Sequence, residues 1–171
     1  MSKIYDNDET RGSSSQEQKD ITRKIGGLEY VLIAENEIID SSTHILLTYQ
    51  TNEALFDDFI VVAENIKGED NAEFKISFTM ENNISKYITP SYSVSSSTAK
   101  NFYEEIERKT SNLFKLTKAG TFTGNVVEYF ELDPSVKRED KIKMIQVYLD
   151  IRHKLISGTC KLYGRRKFNY E

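Results

Sequence analysis

Cysteine occurs once in this 171-residue chain, tryptophan not at all, and proline and histidine twice each. Each scarcity removes something. With Cys160 alone there is no intramolecular disulfide and no cysteine-rich zinc site. With only Pro90 and Pro134, secondary structure can run long without a break. His44 and His153 leave few general bases and few metal ligands. No apolar run approaches the roughly 18–20 residues that a membrane-spanning helix needs. The opening residues, MSKIYDNDETRGSSSQEQKD, lack the apolar stretch of a secretory signal. A lone thiol without a signal points to the cytosol or nucleus, and nothing points to a membrane.

What the chain does hold is aromatic and charged. Hydrophobic residues make up 38%, with ten Tyr and nine Phe, enough to build a core. The length suits one domain. Residues 1–14 are polar and aperiodic and read as a flexible arm. Residues 15–158 carry the periodic segments of a single domain. Residues 159–171 form a basic-aromatic C-terminal segment. The net charge of −4 hides an asymmetry. Residues 151–170 contribute +6 and Glu171 −1, so residues 1–150 carry −9. An acidic body with a basic end is a statement about partners rather than about fold.

Hydrophobic spacing suggests the elements. A short helix fits 16–25, with Ile21 and Ile25 inward and Gly26-Gly27 ending it. LEYVLIAENEIID, THILLTYQ, FDDFIVVAENI and EFKISFTME are then rich in strand-forming residues between short polar turns. Phe74, Ile76, Phe78 and Met80 alternate with polar residues, the period of a half-buried strand. KGEDN suits a hairpin loop, and a weaker fifth strand covers 86–94 with Pro90 marking an edge or bend. Short connections imply an antiparallel meander. From Thr98 to Lys118 the stripe Phe102, Ile106, Leu113, Phe114 reads as a helix, with Glu early and Lys late. Ile142, Ile145, Leu149 and Ile156 give a second long helix between Asp133-Pro134 and Gly158. Residues 121–132 favour a strand by propensity, while Phe122, Val126, Tyr129 and Phe130 also fit helical spacing. The resulting expectation is an α+β domain: an antiparallel sheet of four to five strands followed by two long amphipathic helices on one face.

Chemistry-bearing patterns are scarce. Cys160 lies seven residues from His153 across a helix end, and no third group orients either. Asp57 and Asp58 are adjacent, so on a strand they face opposite ways. Asp6, Asp8 and Glu9 lack the glycine and distal glutamate of a calcium loop. Gly26-Gly27 precedes a strand, the wrong order for a dinucleotide fingerprint. No catalytic residue, cofactor or metal ligand is assigned, and the expectation is a protein that is not an enzyme.

Binding is what remains. The contact residues expected are Arg152, Lys154, Lys161, Tyr163, Arg165, Arg166, Lys167, Phe168 and Tyr170. Cations there would meet phosphates or acidic surfaces, and the rings would stack on bases or bury at an interface. The leading expectation is a non-enzymatic intracellular interaction protein, a subunit or accessory factor of a larger protein assembly. The alternative is a nucleic-acid-binding module using that same segment, against which the −9 body would repel a duplex.

Overall fold

The run FIVVA at residues 59–63 has no polar alternation, the pattern of a strand buried on both faces. It lies at the centre of the larger of two sheets. The computed structural model describes residues 16–26, 29–39, 43–88, 93–120, 126–150 and 152–166. They form one helix, α1 (Gln16–Gly26), and ten strands: β1 (Val31–Ile38), β2 (Ile45–Gln50), β3 (Asp58–Gly68), β4 (Phe74–Met80), β5 (Ser85–Ile88), β6 (Lys100–Arg108), β7 (Leu113–Gly120), β8 (Val126–Glu131), β9 (Ile142–Leu149) and β10 (Leu155–Arg165). The six-stranded sheet runs β1-β10-β3-β6-β7-β8 and the four-stranded sheet β2-β9-β4-β5, all pairs antiparallel. No helix among the described residues is long and apolar enough to cross a membrane.

The expected α+β domain with two long helices is therefore overturned. The protein is nearly all β, and both stretches read as helices are strands. The reason is an ambiguity of spacing. Residues four apart share a face at a period of 2 as well as at 3.6. On β6, Phe102, Glu104, Ile106 and Arg108 all point inward and all are buried. A turn at 109–112 then reverses the chain into β7, where Phe114 and Leu116 continue the inner face. In β9 the mimicry comes from a bulge. Thr79 pairs with Met144 but Met80 with Ile142, so Lys143 is extra. That one inserted residue sets the buried positions at Ile142, Ile145, Val147 and Leu149. A bulge followed by alternation reproduces the i, i+3, i+7 spacing of a helix.

The four early strand readings hold as elements, but their order is not a meander. β1 and β2 belong to different sheets, as do β3 and β4. KGEDN is thus a crossing between sheets and not a hairpin loop. The fifth strand is short, Ser85–Ile88, and Pro90 lies outside the described residues, as does Gly27. Val126–Glu131 is strand β8.

Side chains from both sheets interdigitate in one core that includes Leu46, Phe59, Phe74, Phe78, Phe102, Phe114 and Val147. Phe74 of the small sheet meets Phe102 of the large one edge to face, with ring centroids 4.7 Å apart. On the far side of the large sheet, Ile21 and Ile25 of α1 cover Ile60, Val62, Tyr103 and Tyr163. Gly158, read from sequence as a helix stop, lies inside β10 at φ +145°, where a Cβ would come within 2.4 Å of the Ile66 Cδ1 atom. It marks the irregularity by which β10 follows the bend of β3.

Candidate functional site

The basic-aromatic segment is not a tail behind a helix. Its first half is β10, a central strand paired with β1 on one side and β3 on the other. Leu162, Cys160 and Gly164 face inward and are buried, while Lys161, Tyr163 and Arg165 face outward, half-buried. Tyr163 packs in the cluster beneath α1. Arg165 is bound by acids of the same face. Its Nε and Nη2 donate to Asp58 Oδ2 at 2.9 and 2.7 Å, and its Nη1 donates to Glu29 at 2.7 Å. Its guanidinium stacks over the Tyr30 ring, 4.7 Å from the centroid. Tyr30 in turn donates to Glu105 at 2.7 Å, and Lys24 of α1 donates to both oxygens of Glu105 at 3.0 Å. Burial and the neighbouring carboxylates push the Tyr30 phenol far above its ordinary range. This network fastens α1 and the chain entering β1 to the sheet.

The remaining predicted contact residues are not brought together. Arg152 and Lys154 are exposed in the turn before β10, and Arg166 is exposed just beyond its end. A strand of that length separates them by roughly 35 Å. Lys167, Phe168 and Tyr170 lie outside the described residues.

Cys160, Asp57 and Asp58 are held in the scaffold, while His44 lines a hollow on the small sheet and His153 Nδ1 has no hydrogen-bond partner among the described residues. Cys160 is fully buried, and burial raises its thiol pKa, so a thiolate nucleophile is disfavoured. Asp57 and Asp58 serve different cations: Asp57 accepts from Lys141 at 2.7 Å, Asp58 from Arg165. Among the described residues no group of three His, Cys, Asp or Glu is arranged to hold a metal.

The surface tells more. Val31 and Leu32 on β1, Tyr87 on β5, and Val127 and Tyr129 on β8 are among the large apolar side chains that are exposed. All three strands are sheet edges. Only Ile156, at the start of β10, is an exposed large apolar residue on an interior strand among those described. The outer face of the small sheet carries no helix among the described residues. There Ser77, Thr79, Ser85, Gln146, Tyr87 and Tyr148 line a shallow hollow of about 300 Å³. Gln146 donates to Thr48 at 3.2 Å, and Thr79 and Ser85 share a hydrogen bond at 3.0 Å. Sequence reasoning missed the edge residues because edge position depends on strand order, which no local pattern encodes. The one available signal was the alternation of acids in AENEI, which marks a strand with one wet face.

Neither a family model nor a curated protein matches the sequence. Among solved structures, a fructofuranosidase from Schwanniomyces occidentalis complexed with fructosylnystose aligns with a TM-score of 0.37 and 11% identity, covering 81% of this chain and 35% of that one. The chain thus spans about a third of that protein, and a likeness this loose carries no argument about function.

Proposed function

We propose that the protein is a non-enzymatic interaction protein, a subunit or accessory factor of a larger protein assembly, which meets its partners at the margins of its sheets. One observation carries this reading. Five exposed large apolar side chains lie on edge strands, each with no partner strand along one side among the described residues. Cys160 is buried, and Asp57, Asp58 and Glu105 are bound to cations. An intracellular setting, cytosol or nucleus, goes with a single reduced thiol kept inside the core. The nucleic-acid alternative is weaker, because Arg165 is taken up by Asp58 and Glu29 and the exposed cations divide between two ends of β10.

Affinity purification from the native source tests the proposal. A protein partner in stoichiometric amount is expected at moderate salt. Recovery of the chain alone would overturn the proposal, as would steeply salt-dependent binding to DNA or RNA with no protein partner.

A further inference from the structure

β1 reads VLIAENEI and hydrogen-bonds β10 along one edge only. Along its other edge no described strand pairs with it. The nearest element across the gap is β2, the first strand of the other sheet, tethered by Asn36 Nδ2 donating to the Leu46 carbonyl at 2.7 Å. A groove lies on each side of this edge. The inner one, about 410 Å³, has Ala34, Ile38, Ile45, Leu46 and Leu47 as its apolar lining, with Glu35, Asn36, Thr43 and Thr48 at its polar margin. The outer one, about 490 Å³, extends from β1 over β10 to β3 and is lined by Glu35 and Glu37 of β1, Lys161 of β10 and Glu64 of β3, which accepts from Tyr103 at 3.3 Å. The alternation of β1 is what separates them: register puts Glu35 and Glu37 opposite Lys161 and Thr159 on the outer face, and Ile38 opposite Gly158 on the inner one.

We infer that β1 is a strand-addition site for an extended segment of a partner protein in which apolar and basic residues alternate. The segment's backbone pairs with the free edge of β1 and makes a seventh strand of the large sheet. Its apolar side chains point into the inner groove, and its Lys or Arg side chains point toward Glu35 and Glu37 on the outer face of β1, two carboxylates beside the single ammonium of Lys161. The irregularity between Leu32 and Ala34 twists the start of the edge away, so pairing runs along 34–38. A second copy of this chain fits poorly, since antiparallel self-pairing would set Glu35 and Glu37 against their own equivalents. An acidic segment is disfavoured on the same charge.

This inference rests on the reading of the protein as a partner-binding subunit, and its test separates the two. The full chain is titrated with a peptide as long as β1 that alternates Val and Lys, and both affinity and backbone amide exchange are followed. Binding is expected, with exchange slowed in β1 and unchanged in β5 and β8. Replacing Lys by Glu in the peptide, or N-methylating its alternate amides, weakens binding by roughly tenfold or more. The exposed pair Glu35→Lys and Glu37→Lys lowers affinity for the basic peptide and raises it for the acidic one. The inference fails if the basic peptide does not bind at low salt, if protection appears elsewhere, or if N-methylation changes nothing. Concentration-dependent dimers protected at β1 would overturn it by making a second copy the occupant. A native complex in which β1 amides exchange freely would also overturn it, while leaving the partner-binding reading intact.

Discussion

Glu104 and Arg108 sit four residues apart on the same inner face of β6, both with no exposed surface, and their surroundings could hardly differ more. Arg108 is wrapped in acceptors. Its Nε and Nη2 donate to the Ser111 carbonyl at 3.1 and 2.7 Å, Nη2 also donates to Lys137 O at 2.8 Å, and Nη1 donates to Asp140 O. Asp57 lies 3.6 Å from Nη1, and the Phe114 ring lies beneath the guanidinium. Neither carboxylate oxygen of Glu104 has a hydrogen-bond partner among the described residues. The difference is one of position along the strand. Arg108 ends β6, where the loops at 109–112 and 137–140 turn their carbonyls inward. Glu104 is in the middle, where neighbouring backbone groups are already used by the β3 and β7 ladders. Arg108 is accommodated where loops converge, while Glu104, within the sheet, bears its desolvation cost.

The largest effect should come from removing the satisfied charge. Arg108→Met keeps the apolar stem but leaves three carbonyls without their donor and takes from Asp57 the second of its cations, Lys141 remaining. Loss of one partner from a buried ionic site costs about 3–5 kcal/mol. Urea unfolding is expected to show a loss of that size with an unchanged m-value. A loss below about 1 kcal/mol would mean that the loops rehydrate freely, and the contrast with Glu104 would collapse.

Glu104 should respond in the opposite sense. Burial, reinforced by Glu128 and opposed by Lys118, raises its carboxyl to about 7 from 4.5. The folded state therefore holds a proton that the unfolded state has released between these values. Stability contributed by this group is intact below pH 4.5, falls as pH rises toward 7, and is lost above it. The difference amounts to about 3 kcal/mol. Glu104→Gln is expected to flatten unfolding free energy between pH 5 and 7.5, and Glu104→Leu to stabilise the protein at pH 8. An unaltered pH slope in Glu104→Gln would show that the carboxylate finds solvent.

The same contrast explains how much could be read from sequence. Strand β4 was legible because Phe74, Ile76, Phe78 and Met80 alternate without interruption. The helix α1 was legible because Ile21 and Ile25 face one way beside a glycine. β6 was not, since Phe102 and Ile106 satisfy both periods and the glutamates between them mimic a helix's acidic first turn. One of those glutamates, Glu104, in fact faces the core. β9 was masked by the extra residue Lys143. Of the expected contact residues, Arg165 was noticed for its charge, but its partners Asp58 and Glu29 are distant in sequence. Only the fold could show that the charge is already answered.

Asp58 lies between the two extremes, a buried carboxylate whose cation Arg165 reaches it from the sheet's outer face. Its Oδ1 also accepts from the Arg108 backbone N–H at 2.9 Å. Asp58→Asn keeps that second bond and gives up the charge-assisted pair, so a loss of about 2 kcal/mol is expected by thermal or urea unfolding. Because Arg165 also holds Glu29 and stacks on Tyr30, the variant should speed amide exchange in 29–32 more than in β7. Uniform acceleration would imply that the pair stabilises the whole sandwich and not one margin of it.

The smallest effect belongs to a pair with the same 2.7 Å geometry but in water: Lys75 and Asp150, on the outer side of the small sheet, each about a third exposed. The hydrogen bond from Lys75 holds the Asp150 carboxyl below its ordinary value. That stability is present at neutral pH and lost as acid protonates the carboxylate, below about pH 4, well clear of the window set by Glu104. Solvent screening reduces the pair to less than about 1 kcal/mol, and salt reduces it further. Lys75→Ala should therefore leave the pH 5–7.5 slope untouched and soften only the acid limb, while Glu104→Gln does the reverse. If the two variants altered the same limb, distance and geometry would have to replace burial as the property that ranks charges in this protein.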